Sequence, residues 1–153
     1  MLSKSTLLHL RIPFSYFLLP VFLFAVAVSP NLLKPRMTWV FIILHLLVYP
    51  ASNGYNSYFD RDEKSIGGLK HPPPVTKDLY WTSLTFDALA LVLAFIYVSP
   101  LFMIMVLIYG LASKAYSHPS VRLKKYAITG WLITGFFQGL FTFLMCYLAL
   151  NKF

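Results

Sequence analysis

Polar residues occur along this chain in short clusters, and the stretches between them are almost wholly apolar. A helix needs about 20 residues to cross a bilayer, and five stretches approach that length. Dividing the chain at its Pro, Gly and charge clusters predicts helices over 13–30, 37–58, 79–99, 100–117 and 127–150. Ser29-Pro30-Asn31 and Lys34-Pro35-Arg36 separate the first two. Gly67-Gly68 and Pro72-Pro73-Pro74 bound the longest loop, and Ser99-Pro100 marks a tight turn between the third and fourth. The expected fold is an all-α, multi-pass integral membrane protein, with one membrane domain over 1–153.

Composition supports that class. Of 153 residues, 58% are hydrophobic and 12% charged, against about 25% charged in soluble domains. A net charge of +8 would suggest nucleic acid in a soluble protein; in a membrane it is read first as topology, and no nucleic-acid partner is expected. One side would hold Lys4, Arg11, Arg61, Lys64, Lys70, Lys77, Lys114, Arg122, Lys124 and Lys125, the other Lys34, Arg36 and Lys152. The positive-inside rule then puts the N-terminus and the loops at 59–78 and 118–126 in the cytoplasm. Residues 1–30 also have the outline of a secretory signal, but in so apolar a chain a first membrane helix is the more economical reading. Cys146 stands alone and forms no internal disulfide.

Residues 53–68, NGYNSYFDRDEKSIGG, end the second apolar run in a dense polar cluster. If the helix continues through them, Asn53, Asn56, Ser57, Asp60, Glu63 and Lys64 follow at spacings of three and four and form one stripe. Asn56 and Asp60, at i and i+4, can aim two oxygens at one hard cation, and Glu63 would add a third. Mg²⁺ takes one or two carboxylates and completes its octahedron with water and phosphate oxygens, so the stripe suits a magnesium-bound diphosphate. The bland alternative is a solvated helix end at the membrane boundary. The asparagines argue against it, because they lie at a depth where polar side chains need partners.

A second cluster is expected on the same face: Tyr109, Lys114, Tyr116, Ser117, His118, Arg122, Lys124 and Lys125. Its basic residues suit lipid head groups as well as a phosphate ligand. Lys114, near the end of a helix, supplies a compact charge for a phosphate oxygen.

Together the two clusters resemble the UbiA-type intramembrane prenyltransferases. That family carries N-D-x-x-D-x-x-x-D after its second helix, and Asn56-Ser57-Tyr58-Phe59-Asp60-Arg61-Asp62-Glu63-Lys64 is similar to it; Lys114-Ala-Tyr-Ser-His-Pro-Ser-Val-Arg-Leu-Lys124 resembles the segment after the fourth. The resemblance implies a UbiA-like helical bundle. It implies Mg²⁺-dependent transfer of a prenyl group from a polyprenyl diphosphate to a lipophilic aromatic or quinone-precursor acceptor. It also implies catalytic roles for Asp60 and Lys114, metal binding by Asn56, Asp60 and Glu63, and diphosphate binding by Asn56, Arg61, Lys64, Tyr116, Arg122 and Lys124.

The chain departs from the motif at Ser57 and Lys64, which replace two of three carboxylates. Lys64 would contact diphosphate directly and reduce the need for metal. No Asp or Glu follows Asp87, so the family's second motif, D-x-x-x-D, is expected from a missing C-terminal half or a partner chain. The alternative function is a non-catalytic membrane protein or subunit binding anionic lipid or isoprenoid; a small transporter ranks last because no inverted repeat is visible. Among isolated polar residues, Asp87 is expected in a structural hydrogen bond before catalysis. His45 is expected to bond between helices, and Gln138-Gly139 to allow close packing.

Overall fold

The computed structural model describes residues 3–151 and is helical throughout its spans. Among the described residues, five helices are long and apolar enough to cross a membrane: α1 (Lys4–Ala27), α2 (Lys34–Asp60), α3 (Lys77–Tyr97), α4 (Pro100–Ser117) and α5 (Ala127–Leu150). The last two match the hydropathy reading. The first starts at Lys4 rather than 13, because the Ser3 hydroxyl caps it by accepting from the Thr6 amide at 3.1 Å. Lys152 of the basic-residue count lies outside the described residues.

Two helices depart from regular geometry. α1 breaks at Arg11, whose backbone is left-handed (φ 46°), then runs as a tighter 3₁₀ stretch over Ile12–Leu18 before resuming as α-helix at Leu19–Ala27. α2 widens to π-type turns over Ile42–Val48, just ahead of Pro50, which has no N–H to donate. α5 widens in the same way over Phe136–Phe141, where the Thr142 hydroxyl donates to the Phe137 carbonyl at 2.7 Å.

α2 is the axis of the bundle. Its most apolar window is 56% buried, against 22–28% in the other four. Ile43, Leu44, Leu47 and Val48 of α2 pack against Phe22 and Ala25 of α1, Ala90 and Ala94 of α3, Phe102 and Val106 of α4, and Met145 and Cys146 of α5. Lipid tails are as apolar as leucine, so these contacts stabilise by close packing rather than by release from water, and small residues mark the tight crossings. Gly54 is the tightest, since a Cβ there would stand 2.5 Å from Ser83 Oγ and 3.1 Å from Leu10 Cδ2.

Side-chain hydrogen bonds close the bundle at both ends. At one end Asn151 Nδ2 donates to Ser29 Oγ (2.9 Å) and its Oδ1 accepts from the Asn31 amide (3.1 Å), pinning the α1–α2 turn to the end of α5. At the other end the proline strap before α3 is tied to α1. Ser5 donates to the Pro74 carbonyl (2.6 Å), His9 Nε2 bonds the Pro73 carbonyl (2.8 Å), and Asp78 accepts from Thr6 (2.9 Å). The Gly67-Gly68 turn rests on Phe14, where a Cβ on Gly67 would meet the ring at 2.6 Å.

Candidate functional site

The last turns of α2 carry Asn53, Asn56 and Asp60 to the mouth of the bundle. Asn56 and Asp60, four apart, share a face. α4 ends opposite them at Ser117, and the chain turns at Arg122 (φ 43°) into a short 3₁₀ segment, Leu123–Lys125, that directs Lys124 inward. Lys124 Nζ donates to Asn56 Oδ1 at 2.7 Å and makes a short contact with Asp60 Oδ2. Ser117 Oγ also donates to Asn56 Oδ1 at 2.7 Å, and Arg122 Nη2 lies 3.6 Å from Asp60 Oδ1. Lys124 and Asp60 are largely withdrawn from solvent, with 15% and 16% of their side chains exposed. One carboxylate thus faces two cations, and the cluster carries a net positive charge.

Arg11 adds a third cation, which sequence reasoning counted only toward topology. Its Nη2 reaches Asn53 Oδ1 at 3.4 Å and its Nη1 the Gly67 carbonyl at 3.3 Å, while its buried Nε has no hydrogen-bond partner. Arg11 precedes Pro13 inside an apolar run. A charge placed where a proline restricts the helix was the signal available.

Beside the cluster, between α2, α4 and α5, lies a cleft of about 150 Å³. Ser52, Asn53, Asn56, Ser113, Ser117, Thr134 and Gln138 give it polar walls, and Tyr109, Tyr116 and Phe137 give it rings. The widened turns of α5 carry Phe137 and Gln138 into this wall. Tyr116 is also a neighbour of Lys124, whose Nζ stands 6.0 Å from its ring.

The rest of the expected stripe is not brought here. Arg61 ends α2 in the left-handed conformation (φ 50°), so the helix stops at Asp60 and the three-and-four spacing ceases to apply beyond it. Arg61, Asp62 and Glu63 line a separate cleft of about 530 Å³ with Pro72, Pro73 and Pro74, and Lys64 is exposed in the loop. Ser57, at the motif's first aspartate position, is buried with its hydroxyl unpartnered.

Lys114 also lies apart. Side chains on a helix lean toward its N-terminus, and for Lys114 that direction leads down into the bundle, away from the mouth. Its Nζ meets Asp87 Oδ2 at 2.5 Å and lies 4.9 Å from the Tyr55 ring. The pair heads an apolar groove between α3 and α4, lined by Leu84, Leu91, Leu107 and Gly110. Asp87 therefore has a structural partner, as expected, and that partner is the charged Lys114. His45 is buried among Phe22, Phe41 and Tyr49 and bonds the Ser15 backbone across to α1, as a helix-to-helix contact would.

Among the described residues, no three His, Cys, Asp or Glu side chains group closely enough to hold a metal unaided. Asn56 Oδ1 and Asp60 Oδ2 nevertheless converge on one cation, the Lys124 ammonium. Two oxygens aimed at one positive centre are a donor set that Mg²⁺ accepts when phosphate oxygens and water complete the shell.

The sequence profile of the UbiA prenyltransferase family matches residues 17–153. No curated protein and no solved structure matches the chain.

Proposed function

The chain belongs to the UbiA prenyltransferase family, and from that premise we propose that it binds a polyprenyl diphosphate at the Asn56–Asp60–Lys124 cluster for prenyl transfer to a lipophilic acceptor. One observation carries the reading: an amide oxygen and a carboxylate hold a common cation at the mouth of a membrane bundle, with Arg122 and Arg11 beside them.

In this reading Lys124, Arg122 and Arg11 neutralise the diphosphate, which leaves with the electron pair of the allylic C1–O bond. The acceptor's nucleophilic atom donates a pair to C1, and the proton it loses passes to the departing diphosphate. Fixed cations in a site shielded from water stabilise leaving-group charge at little reorganisation cost. Mg²⁺ held by Asn56 and Asp60 would supply further charge neutralisation. The rings of Tyr109, Tyr116 and Phe137 in the adjoining cleft shield the carbocation from water. Glu63, Arg61 and Lys64 belong to this reading only as outer charges of the mouth, and Lys114 serves it by holding α3 to α4. A second acidic motif, from a further half of the protein or a partner chain, would complete the shell. The bias of basic residues supports a cytoplasmic mouth.

The test is release of labelled diphosphate from a polyprenyl diphosphate in membranes containing this chain, alone and together with a chain carrying D-x-x-x-D. Release that falls by at least about a hundredfold in Asp60→Ala supports the reading. No release in either membrane, or binding of the diphosphate unchanged by Asp60→Ala, leaves a lipid-binding protein instead.

A further inference from the structure

We propose that the groove between α3 and α4 binds a membrane lipid with an uncharged hydroxyl head, which donates a hydrogen bond to the Asp87 carboxylate. The site is separate from the diphosphate cluster and stands without the prenyl-transfer reading.

Asp87 lies midway along the 21 residues of α3. Counted from Lys77, that is roughly 15 Å along the helix axis. At such a depth a polar atom has to find a partner within the protein or on a ligand, because lipid tails offer none. Lys114 meets Oδ2, and the lysine ammonium is itself buried. Oδ1 differs. Among the described residues no donor is paired with it, and 21% of the Asp87 side chain is exposed even though Oδ2 is buried. Opposite stands Gly110, where a Cβ would come no nearer than 4.0 Å to any surrounding atom, and that atom is Oδ1. The missing side chain leaves a gap in front of the one carboxylate oxygen that lacks a donor.

The gap opens into a groove of about 160 Å³ walled by Leu84, Leu91, Val106, Leu107 and Leu111. These walls suit an apolar chain, and the ion pair decides the head. The Lys114 charge is already matched by Asp87, so an anionic head would meet the carboxylate unshielded and a cationic head would crowd the ammonium. Water is poorly served, since it needs two to four polar partners and the gap offers one oxygen. A lipid hydroxyl gives its single proton to that oxygen and leaves carbon to face the leucines. Hydrogen bonds to an ionised oxygen are about twice as strong as neutral ones, so one such bond is enough to select the head.

Four photoreactive probes share a chain carrying a diazirine near the head and differ only in the head: hexadecanol, its methyl ether, hexadecanesulfonate and hexadecylamine. Each is photolysed with the whole chain in nanodiscs, and mass spectrometry measures label on residues 84–91 and 106–111. The alcohol is expected to label both segments at least about fivefold more than the other three. Gly110→Ala puts a methyl in ordinary contact with Oδ1, and it is expected to lower alcohol labelling about fivefold with circular dichroism unchanged. Asp87→Leu/Lys114→Met is expected to erase the difference between alcohol and ether. Competition by farnesol and by hexadecanol without the diazirine tells isoprenoid from straight-chain alcohols, and displacement by either supports the site. Equal labelling by alcohol and ether in the native chain overturns the proposal. So does stronger labelling by sulfonate or amine, displacement by neither alcohol, or alcohol labelling unchanged in a folded Gly110→Ala.

Discussion

Replacing Lys114 by methionine leaves Asp87 charged inside the bundle with its only ion-pair partner among the described residues removed. The two side chains touch at 2.5 Å and are 17% and 21% exposed, so neither is solvated well enough to do without the other. At contact distance and an effective dielectric of about 20, their attraction is about 4 kcal/mol or more. Desolvation of two ions offsets most of that gain in the intact protein, but removing one partner exposes the full penalty of the other. The expected cost of Lys114→Met alone, or of Asp87→Leu alone, is therefore about 3–5 kcal/mol. The double variant Asp87→Leu/Lys114→Met removes both penalties and fills the groove with apolar atoms, and it is expected within about 1 kcal/mol of the native chain. Reversible unfolding in mixed micelles, followed by circular dichroism, measures all four members of the cycle. Additive single effects, with a double variant about 6 kcal/mol or more less stable, would refute the reasoning.

Lys124→Met removes the ammonium that now occupies Asn56 and Asp60, and Mn²⁺ affinity read by electron paramagnetic resonance is expected to rise about tenfold; unchanged affinity would show that lysine and metal do not share those oxygens. Gly54→Ala places a methyl 2.5 Å from Ser83 Oγ and should cost about 1–3 kcal/mol, part of which Ser83→Ala restores. If thermal melts show no cost, α2 and α3 are less closely packed than described. Asn151→Ala unfastens Ser29 and Asn31 from the end of α5, and faster hydrogen exchange over residues 29–33 is the expected sign.

The spans were legible because apolar runs between proline and glycine breaks dominate the hydropathy pattern. The α1 start was less so, since Lys4, Ser5, Thr6 and His9 dilute an apolar run that the structure tucks beneath the proline strap. At the site, the i, i+4 spacing of Asn56 and Asp60 was readable, and so was a cationic segment after the fourth helix. Which lysine arrives was not. Lys114 and Lys124 have the same chemistry, and only the downward lean of one and the turn at Arg122 separate them. Glu63 and Lys64 were carried onto the stripe by a periodicity that ends when Arg61 turns left-handed. Arg11 was overlooked because its bond to Asn53 joins positions 42 apart in sequence.

Arg11, Arg61 and Arg122, with φ of 46°, 50° and 43°, are the non-glycine residues with positive φ among those described. Each stands at a helix break or end where glycine would sit without strain, and each costs about 1 kcal/mol for the placement. A stability-guided redesign would therefore pick these positions first and write glycine at all three. Such a redesign is expected to melt higher and bind anions worse, because it would strip three guanidinium groups at once, from the break in α1, the end of α2 and the turn that follows α4. At these three positions heat tolerance and charge at the mouth are thus coupled, and a gain in one erodes the other.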